Sequence, residues 1–162
     1  MPSAAATVIT TMQASREEAF LHIVPVDLSS IFTGYGPLPR VTETRDQTGP
    51  WDAAGRTRTV VFSDGSSAQE TLTQYEYPDR FAYRITEFTG ALRFLASEAR
   101  GEWWFASTPD HDATSVLWRY EFVSRFKVLT PLVRLFTRSL WRGYMGRALR
   151  LSKTQVEKKS VP

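Results

Sequence analysis

Between Arg40 and Arg125 apolar residues recur at every second position, and from Thr130 onward they recur every third or fourth. A period of two belongs to strands with one buried face, and a period near 3.6 to a helix with one buried stripe. Tight-turn residues interrupt the first stretch at Thr48-Gly49-Pro50, Asp64-Gly65, Pro78-Asp79, Thr89-Gly90 and Pro109-Asp110. The stretch therefore reads as an antiparallel meander of strands over Val41 to Gln47, Arg56 to Ser63, Ala68 to Tyr77, Phe81 to Phe88, Ala91 to Ser107 and Ala113 to Arg125. Asp64-Gly65 is its sharpest hairpin signal. In the second stretch Thr130 and Pro131 make an N-cap and first-turn pair, after which Val133, Phe136, Leu140, Tyr144, Ala148 and Leu151 form one stripe. A helix of about 25 residues, roughly 38 Å long, is implied.

Ahead of the meander, Thr7 to Gln13 alternates and reads as a first strand. Ser15 with Glu18 three residues later forms a capping-box pattern that opens a short helix. Pro25 ends it, and Val26 to Phe32 resumes an apolar pattern that stops at Gly34 and Gly36, so two short consecutive helices are predicted.

Alternation also assigns faces. Phe81, Tyr83 and Ile85 share one, as do Val116, Trp118, Tyr120 and Phe122, while Arg84, Arg119 and Glu121 point the other way. Gly101 reads as a bulge, which leaves open whether Trp103 or Trp104 faces inward. Gly143 and Gly146 in the helix imply close backbone packing or space left for something else.

The predicted architecture is an α+β helix-grip fold: a curved antiparallel sheet of six to seven strands wrapped around a long C-terminal helix, with two short helices after the first strand. At 162 residues one domain spanning 1–162 is expected, with 157–162 as a flexible tail. A single helix does not fill the hollow of a curved sheet, so an apolar pocket between the two is the natural binding site.

Composition narrows the chemistry. There is no Cys, which excludes disulfides and a thiol nucleophile. The N-terminus lacks a basic stretch followed by a long apolar run, and no window approaches the roughly 18 apolar residues of a membrane span, so a cytoplasmic location is expected. Charge is polarised: residues 125–162 carry ten Lys or Arg and one acid, Glu157, within a chain whose net charge is +3. Most of this positive charge is expected on the wet face of the helix, at Arg134, Arg138, Arg142, Arg150 and Lys153. Such a face also suits weak docking on an anionic membrane. No nucleic-acid reading motif accompanies it.

Three phrases, Tyr77-Pro-Asp-Arg-Phe-Ala-Tyr-Arg-Ile85, Gly101-Glu-Trp-Trp-Phe105 and Thr114-Ser-Val-Leu-Trp-Arg-Tyr120, precede the long closing helix. In these and in its order of elements the chain resembles the SRPBCC superfamily of START-like and birch-pollen-allergen-like helix-grip proteins, and within it the polyketide cyclase/dehydrase-like family. The resemblance runs from about Thr7 to about Val156. It implies a deep hydrophobic cavity for a lipid, polyketide or steroid-like molecule, in a superfamily of carriers, sensors and enzymes.

No GxSxG, GxGxxG or P-loop pattern is present, and neither His22 nor His111 has partners at metal-ligand spacing, so no metal and no cofactor are expected. Glu87 continues the parity of Phe81, Tyr83 and Ile85 and is the candidate acid–base carboxylate, with Tyr83 or Tyr120 as the donor to a developing enolate. Glu98 and Arg100 follow the parity of Leu92, Phe94 and Ala96, which makes them either a polar rim of the cavity or a surface ion pair. Candidate ligand contacts from the strands are Tyr75, Tyr83, Phe94, Trp103, Trp118 and Tyr120. The helix adds Phe136, Leu140 and Tyr144. The leading expectation is a binding module for a small hydrophobic molecule, monomeric or homodimeric. The alternatives are a cofactor-free cyclase or dehydratase, and a module that docks on a membrane or protein through its basic helix.

Overall fold

The computed structural model describes residues 2–110 and 112–160. Seven strands form one antiparallel sheet: β1 (Ser3–Met12), β2 (Val41–Arg45), β3 (Thr57–Phe62), β4 (Ser67–Glu76), β5 (Arg80–Thr86), β6 (Ala96–Ser107) and β7 (Thr114–Ser124). Their order across the sheet is β1-β7-β6-β5-β4-β3-β2, so the meander from β2 to β7 is closed by the first strand pairing with the last. Helix α1 (Arg16–Ile23) follows β1, a one-turn helix α2 (Leu92–Leu95) precedes β6, and α3 (Thr130–Phe136) and α4 (Arg142–Ser160) form the C-terminal rod.

The expected helix-grip architecture is present, and its departures from expectation have local causes. Strand β1 begins at Ser3 rather than Thr7 because β7 offers partners along its whole length, from Ser3 opposite Val123 to Met12 opposite Thr114. Ser15 caps α1 as expected, accepting the Glu18 N–H at 3.1 Å. The second short helix is reduced to one 3-10 turn at Leu28–Ser30, capped by Asp27, whose carboxylate accepts the Ser29 N–H at 3.0 Å.

The segment from Ala91 to Ser107 is not one strand. Its start coils into α2, and β6 begins at Ala96. The bulge lies between Ala96 and Glu98, not at Gly101, where pairing is regular with Tyr83 on one side and Tyr120 on the other. One extra residue ahead of Ala99 reverses the parity of everything after it. Ala99, Trp103 and Phe105 therefore face the core, while Trp104 lies outside beneath the Arg80 guanidinium, 5.6 Å from its ring centre. Glu98 and Arg100 likewise end on the outer face, paired with each other and joined to Arg84 and Glu121. They are surface ion pairs and not a cavity rim.

Gly101 has a different function in the packing. A Cβ there would sit 2.1 Å from Cζ of Tyr83, so the ring of Tyr83 lies flat on the bare backbone of the neighbouring strand. Gly143 plays the same part for Tyr35, whose hydroxyl would be 2.3 Å from a Cβ.

The C-terminal rod is also not one regular helix. A 3-10 turn over Lys127–Leu129 precedes α3, so Thr130 stands inside the first turn and its hydroxyl caps nothing. A π-helical turn at Thr137–Trp141 then joins α3 to α4. Its wider turn holds residues four apart on one face, so Val133, Thr137 and Trp141 are the buried set, and Leu140 is displaced from it. Downstream, Tyr144, Met145, Ala148, Leu149, Ser152 and Val156 face the sheet. α4 continues through Ser160, past residue 157 where a loose tail is expected. Glu157 accepts the Gln13 N–H at 2.8 Å and the Ser160 hydroxyl donates to the Gln13 carbonyl at 3.0 Å.

Candidate functional site

Between the concave sheet face, the segment after α1 and the C-terminal rod lies a cavity of about 240 Å³. Its exposed lining residues Pro37, Asp64 and Ala91, with half-buried Leu38, Ser66 and Leu92 beside them, mark its mouth. Gly65 turns the β3–β4 hairpin at φ +85°, and Asp64 accepts the Ser66 hydroxyl at 2.5 Å and the Ser66 N–H at 2.9 Å, which hold its carboxyl below the usual carboxylate range.

The walls are aromatic. Trp103 and Trp118 stack at 4.5 Å between ring centres on adjacent strands, and Trp141 reaches down from the rod to within 4.8 Å of Tyr120 and 5.3 Å of Phe122. The Tyr83 hydroxyl accepts the Trp118 indole N–H at 3.0 Å. Accepting that bond leaves the phenol's own hydrogen to donate. Burial raises the pKa of both Tyr83 and Tyr120 well above the ordinary tyrosine value, helped by the Glu70 charge at Tyr83 and by Tyr83 and Glu70 at Tyr120, so both are neutral donors at physiological pH.

Set into this wall is a charged pair. Arg58 Nε donates to Glu70 Oε1 at 2.6 Å, both side chains are 6% exposed, and both line the cavity. The guanidinium also lies 4.0 Å from the ring centre of Trp51. Burial raises the Glu70 carboxyl above its usual range, opposed by the charge of Arg58. A further polar group is the Trp141 indole N–H, which is buried with no hydrogen-bond partner among the described residues although its side chain lines the cavity.

Of the residues expected to meet a ligand, Tyr83, Trp103, Trp118, Tyr120 and Tyr144 line the cavity. The Tyr144 hydroxyl is already engaged, donating to the Pro39 carbonyl at 2.7 Å and accepting the Gly34 N–H at 3.0 Å. The other four do not line it. Tyr75 packs edge-on against Phe20 under α1, Phe94 is 62% exposed on α2, and Phe136 packs behind Phe122. Leu140 is turned away by the π-helical turn.

Glu87 is also outside. β5 ends at Thr86, and Glu87 adopts a left-handed φ of 55° that breaks the strand parity and leaves its side chain exposed. The expected pairing of Glu87 with Tyr83 or Tyr120 is not formed. The carboxylate in the cavity is Glu70. Its signal in the sequence is the inward parity of Arg58 with Val60 and of Glu70 with Leu72, at equal distances on either side of Asp64 in the hairpin turn. Trp51 and Trp141 carry no such signal, since one sits in a loop and the other depends on the π-helical turn.

Among the described residues no group of three or more His, Asp or Glu is placed to hold a metal ion. His22 shares a hydrogen bond with Gln155 at 3.0 Å, and His111 lies outside the described residues. No helix among those residues is long and apolar enough to cross a membrane.

Solved structures share this fold at low sequence identity. The ginseng major latex-like protein 151 of Panax ginseng superposes with a TM-score of 0.68 at 12% identity, over 96% of this chain and 98% of that one. Ara h 8.0201 gives 0.70 at 14% identity, over 96% and 99%. The di-domain ARO/CYC BexL from the BE-7585A biosynthetic pathway gives 0.71 at 18% identity, with 99% of this chain covering 52% of that one. No curated protein matches by sequence. The family model described as polyketide cyclase / dehydrase and lipid transport matches residues 9–157, nearly the whole of the strand-to-helix architecture just described, and the chain belongs to that family, within the SRPBCC superfamily.

Proposed function

We propose that the protein encloses a compact, mainly apolar small molecule whose oxygen-bearing end meets Tyr83 and the Arg58–Glu70 pair. The observation that carries this reading is the cavity itself: aromatic walls around about 240 Å³, with one buried ion pair and the buried phenols of Tyr83 and Tyr120 in them. Its volume falls just under the roughly 300–1,000 Å³ typical of small-molecule sites, which favours a ring-sized ligand or one whose far end stays in the mouth. Apolar area supplies the affinity, and the few polar groups set orientation. A ligand carbonyl or hydroxyl oxygen accepts from Tyr83, whose hydrogen is not needed by Trp118.

Tryptophan fluorescence tests this directly, because Trp103 and Trp118 form the wall. Titration with fatty acids, steroids and aromatic polyketides is expected to quench or shift emission at micromolar concentration, with weaker binding in Tyr83→Phe. Uptake of none of them at that concentration overturns the reading.

Glu70 favours a second reading, a cofactor-free cyclase or dehydratase. A carboxylate whose pKa burial raises inside an apolar cavity is suited to take a proton from an activated carbon, and Tyr83 to donate to the enolate oxygen that develops. Glu70→Gln separates the two: a carrier keeps its ligand, whereas an enzyme keeps binding and loses turnover.

A further inference from the structure

The cavity leaves unexplained a cluster of large apolar side chains on the outer surface. Phe126, Val128, Leu132 and Leu135 are 51–83% exposed along the 3-10 turn and α3. Val128, Leu132 and Leu135 are spaced four and three residues apart, which puts them on one side of the rod. Leu132 and Leu135 are not part of the stripe that packs on the sheet. Contiguous exposed apolar surface of this kind marks an interaction site.

A second segment adds to it. The Arg125 N–H donates to the Leu95 carbonyl at 2.9 Å, which fastens the end of β7 to the end of α2. That bond brings two similar dipeptides together, Arg93-Phe94 and Arg125-Phe126. In each, the guanidinium lies over the exposed ring, at 4.6 Å and 5.9 Å from its centre. Arginine on an exposed aromatic ring suits a boundary between water and lipid, where the ring enters and the cation stays among the headgroups.

The charge of the patch has one sign. Arg93, Arg125, Lys127, Arg134 and Arg138 alternate with the apolar residues along the two segments, and there is no acid from residue 88 to 97 or from 122 to 156. Two copies brought face to face through this patch would oppose cation to cation. An anionic lipid surface instead offers both the apolar interior and the opposite charge. The patch also adjoins the cavity, since Ala91 and Leu92 of the mouth lead directly into Arg93 and Phe94.

We infer that this surface, Phe94 with Phe126, Val128, Leu132 and Leu135 and the arginines and lysines among them, docks the protein on anionic bilayers with the cavity mouth beside the lipid. Docking of this kind needs no ligand in the cavity, so it stands or falls separately from the reading of the site.

Vesicle co-sedimentation of the full chain tests it, using phosphatidylcholine vesicles with and without phosphatidylglycerol. Partitioning onto the anionic vesicles is expected, weakening with salt. Leu132→Asp with Leu135→Asp, and separately Arg134→Glu with Arg138→Glu, should each lower it about tenfold or more. Near-UV circular dichroism checks that both variants fold, and the two rest on different chemistry. Lys158→Glu with Lys159→Glu makes the same charge change about 34 Å away along the rod and should leave most binding intact. The inference is overturned if the anionic vesicles bind no better than neutral ones, or if the distant reversal weakens binding as much as the local one. It is also overturned if light scattering shows a dimer that Leu132→Asp with Leu135→Asp disperses while no vesicle binding occurs.

Discussion

Arg58 and Glu70 stand directly opposite each other on β3 and β4, joined at 2.6 Å with only 6% of either side chain exposed, in the wall of a cavity that is otherwise aromatic. A pair so buried gains from Coulomb attraction what it loses in desolvation only while both members are present. Arg58→Met alone leaves Glu70 unpaired and should cost about 3–5 kcal/mol in urea unfolding. The double change Arg58→Met with Glu70→Leu should recover most of that loss. Ligand uptake should not recover with it, because the double variant restores packing without the polar end of the site.

The same pair fixes the sign of a pH effect. Burial raises the Glu70 carboxyl in the folded state above the 4.5 of an ordinary glutamate, so between those two values the folded protein holds a proton that the unfolded chain releases. Its contribution to stability therefore grows as pH falls through the folded value toward 4.5 and is lost as pH rises again. Measured against Glu70→Gln, the wild-type advantage in urea unfolding should widen on acidification across this window. An advantage that narrows instead would mean that the charge of Arg58 outweighs burial.

Tyr83 and Gly101 are coupled by space alone. Gly101→Ala places a methyl carbon 2.1 Å from Cζ of Tyr83, and the neighbour is a ring held by the Trp118 hydrogen bond. Overpacking of this kind costs about 1–3 kcal/mol. The expected result is a lowered urea midpoint together with a change in tryptophan emission, as Trp118 loses its acceptor. Tyr83→Leu in the same chain should restore part of the stability by vacating the space. If Gly101→Ala alone is neutral, the ring does not rest on the backbone as described.

These couplings show what strand alternation can and cannot reveal. The inward faces of β5 and β7 were legible because Phe81, Tyr83, Ile85, Trp118 and Tyr120 lie on strands that keep their parity to the end. Glu87 departs from its expected place for the complementary reason: the parity holds only while the backbone is extended, and the chain leaves that conformation at φ 55°. In β6 the bulge between Ala96 and Glu98 comes before the tryptophans, so a one-residue insertion decided the fate of both. Arg58 and Glu70 were legible in principle, as opposite charges at matching positions across a hairpin. They are passed over when charge is taken to mean solvent.

The C-terminal rod carries the same lesson into the ligand site. A stripe counted at ordinary helical spacing selects Leu140, but the π-helical turn at Thr137–Trp141 substitutes Trp141, which fills part of the cavity with its ring. Its indole N–H is buried without a partner among the described residues, and an unmet donor of that kind costs about 1–3 kcal/mol. Trp141→Phe removes the donor and keeps most of the ring, so the empty protein should be no less stable, apart from a small loss of packing. A ligand whose oxygen accepts from that N–H should bind about tenfold more weakly to the variant, while a hydrocarbon of the same shape should not distinguish the two. Equal losses for both ligands would assign Trp141 to shape alone and leave Tyr83 as the donor that orients the bound molecule.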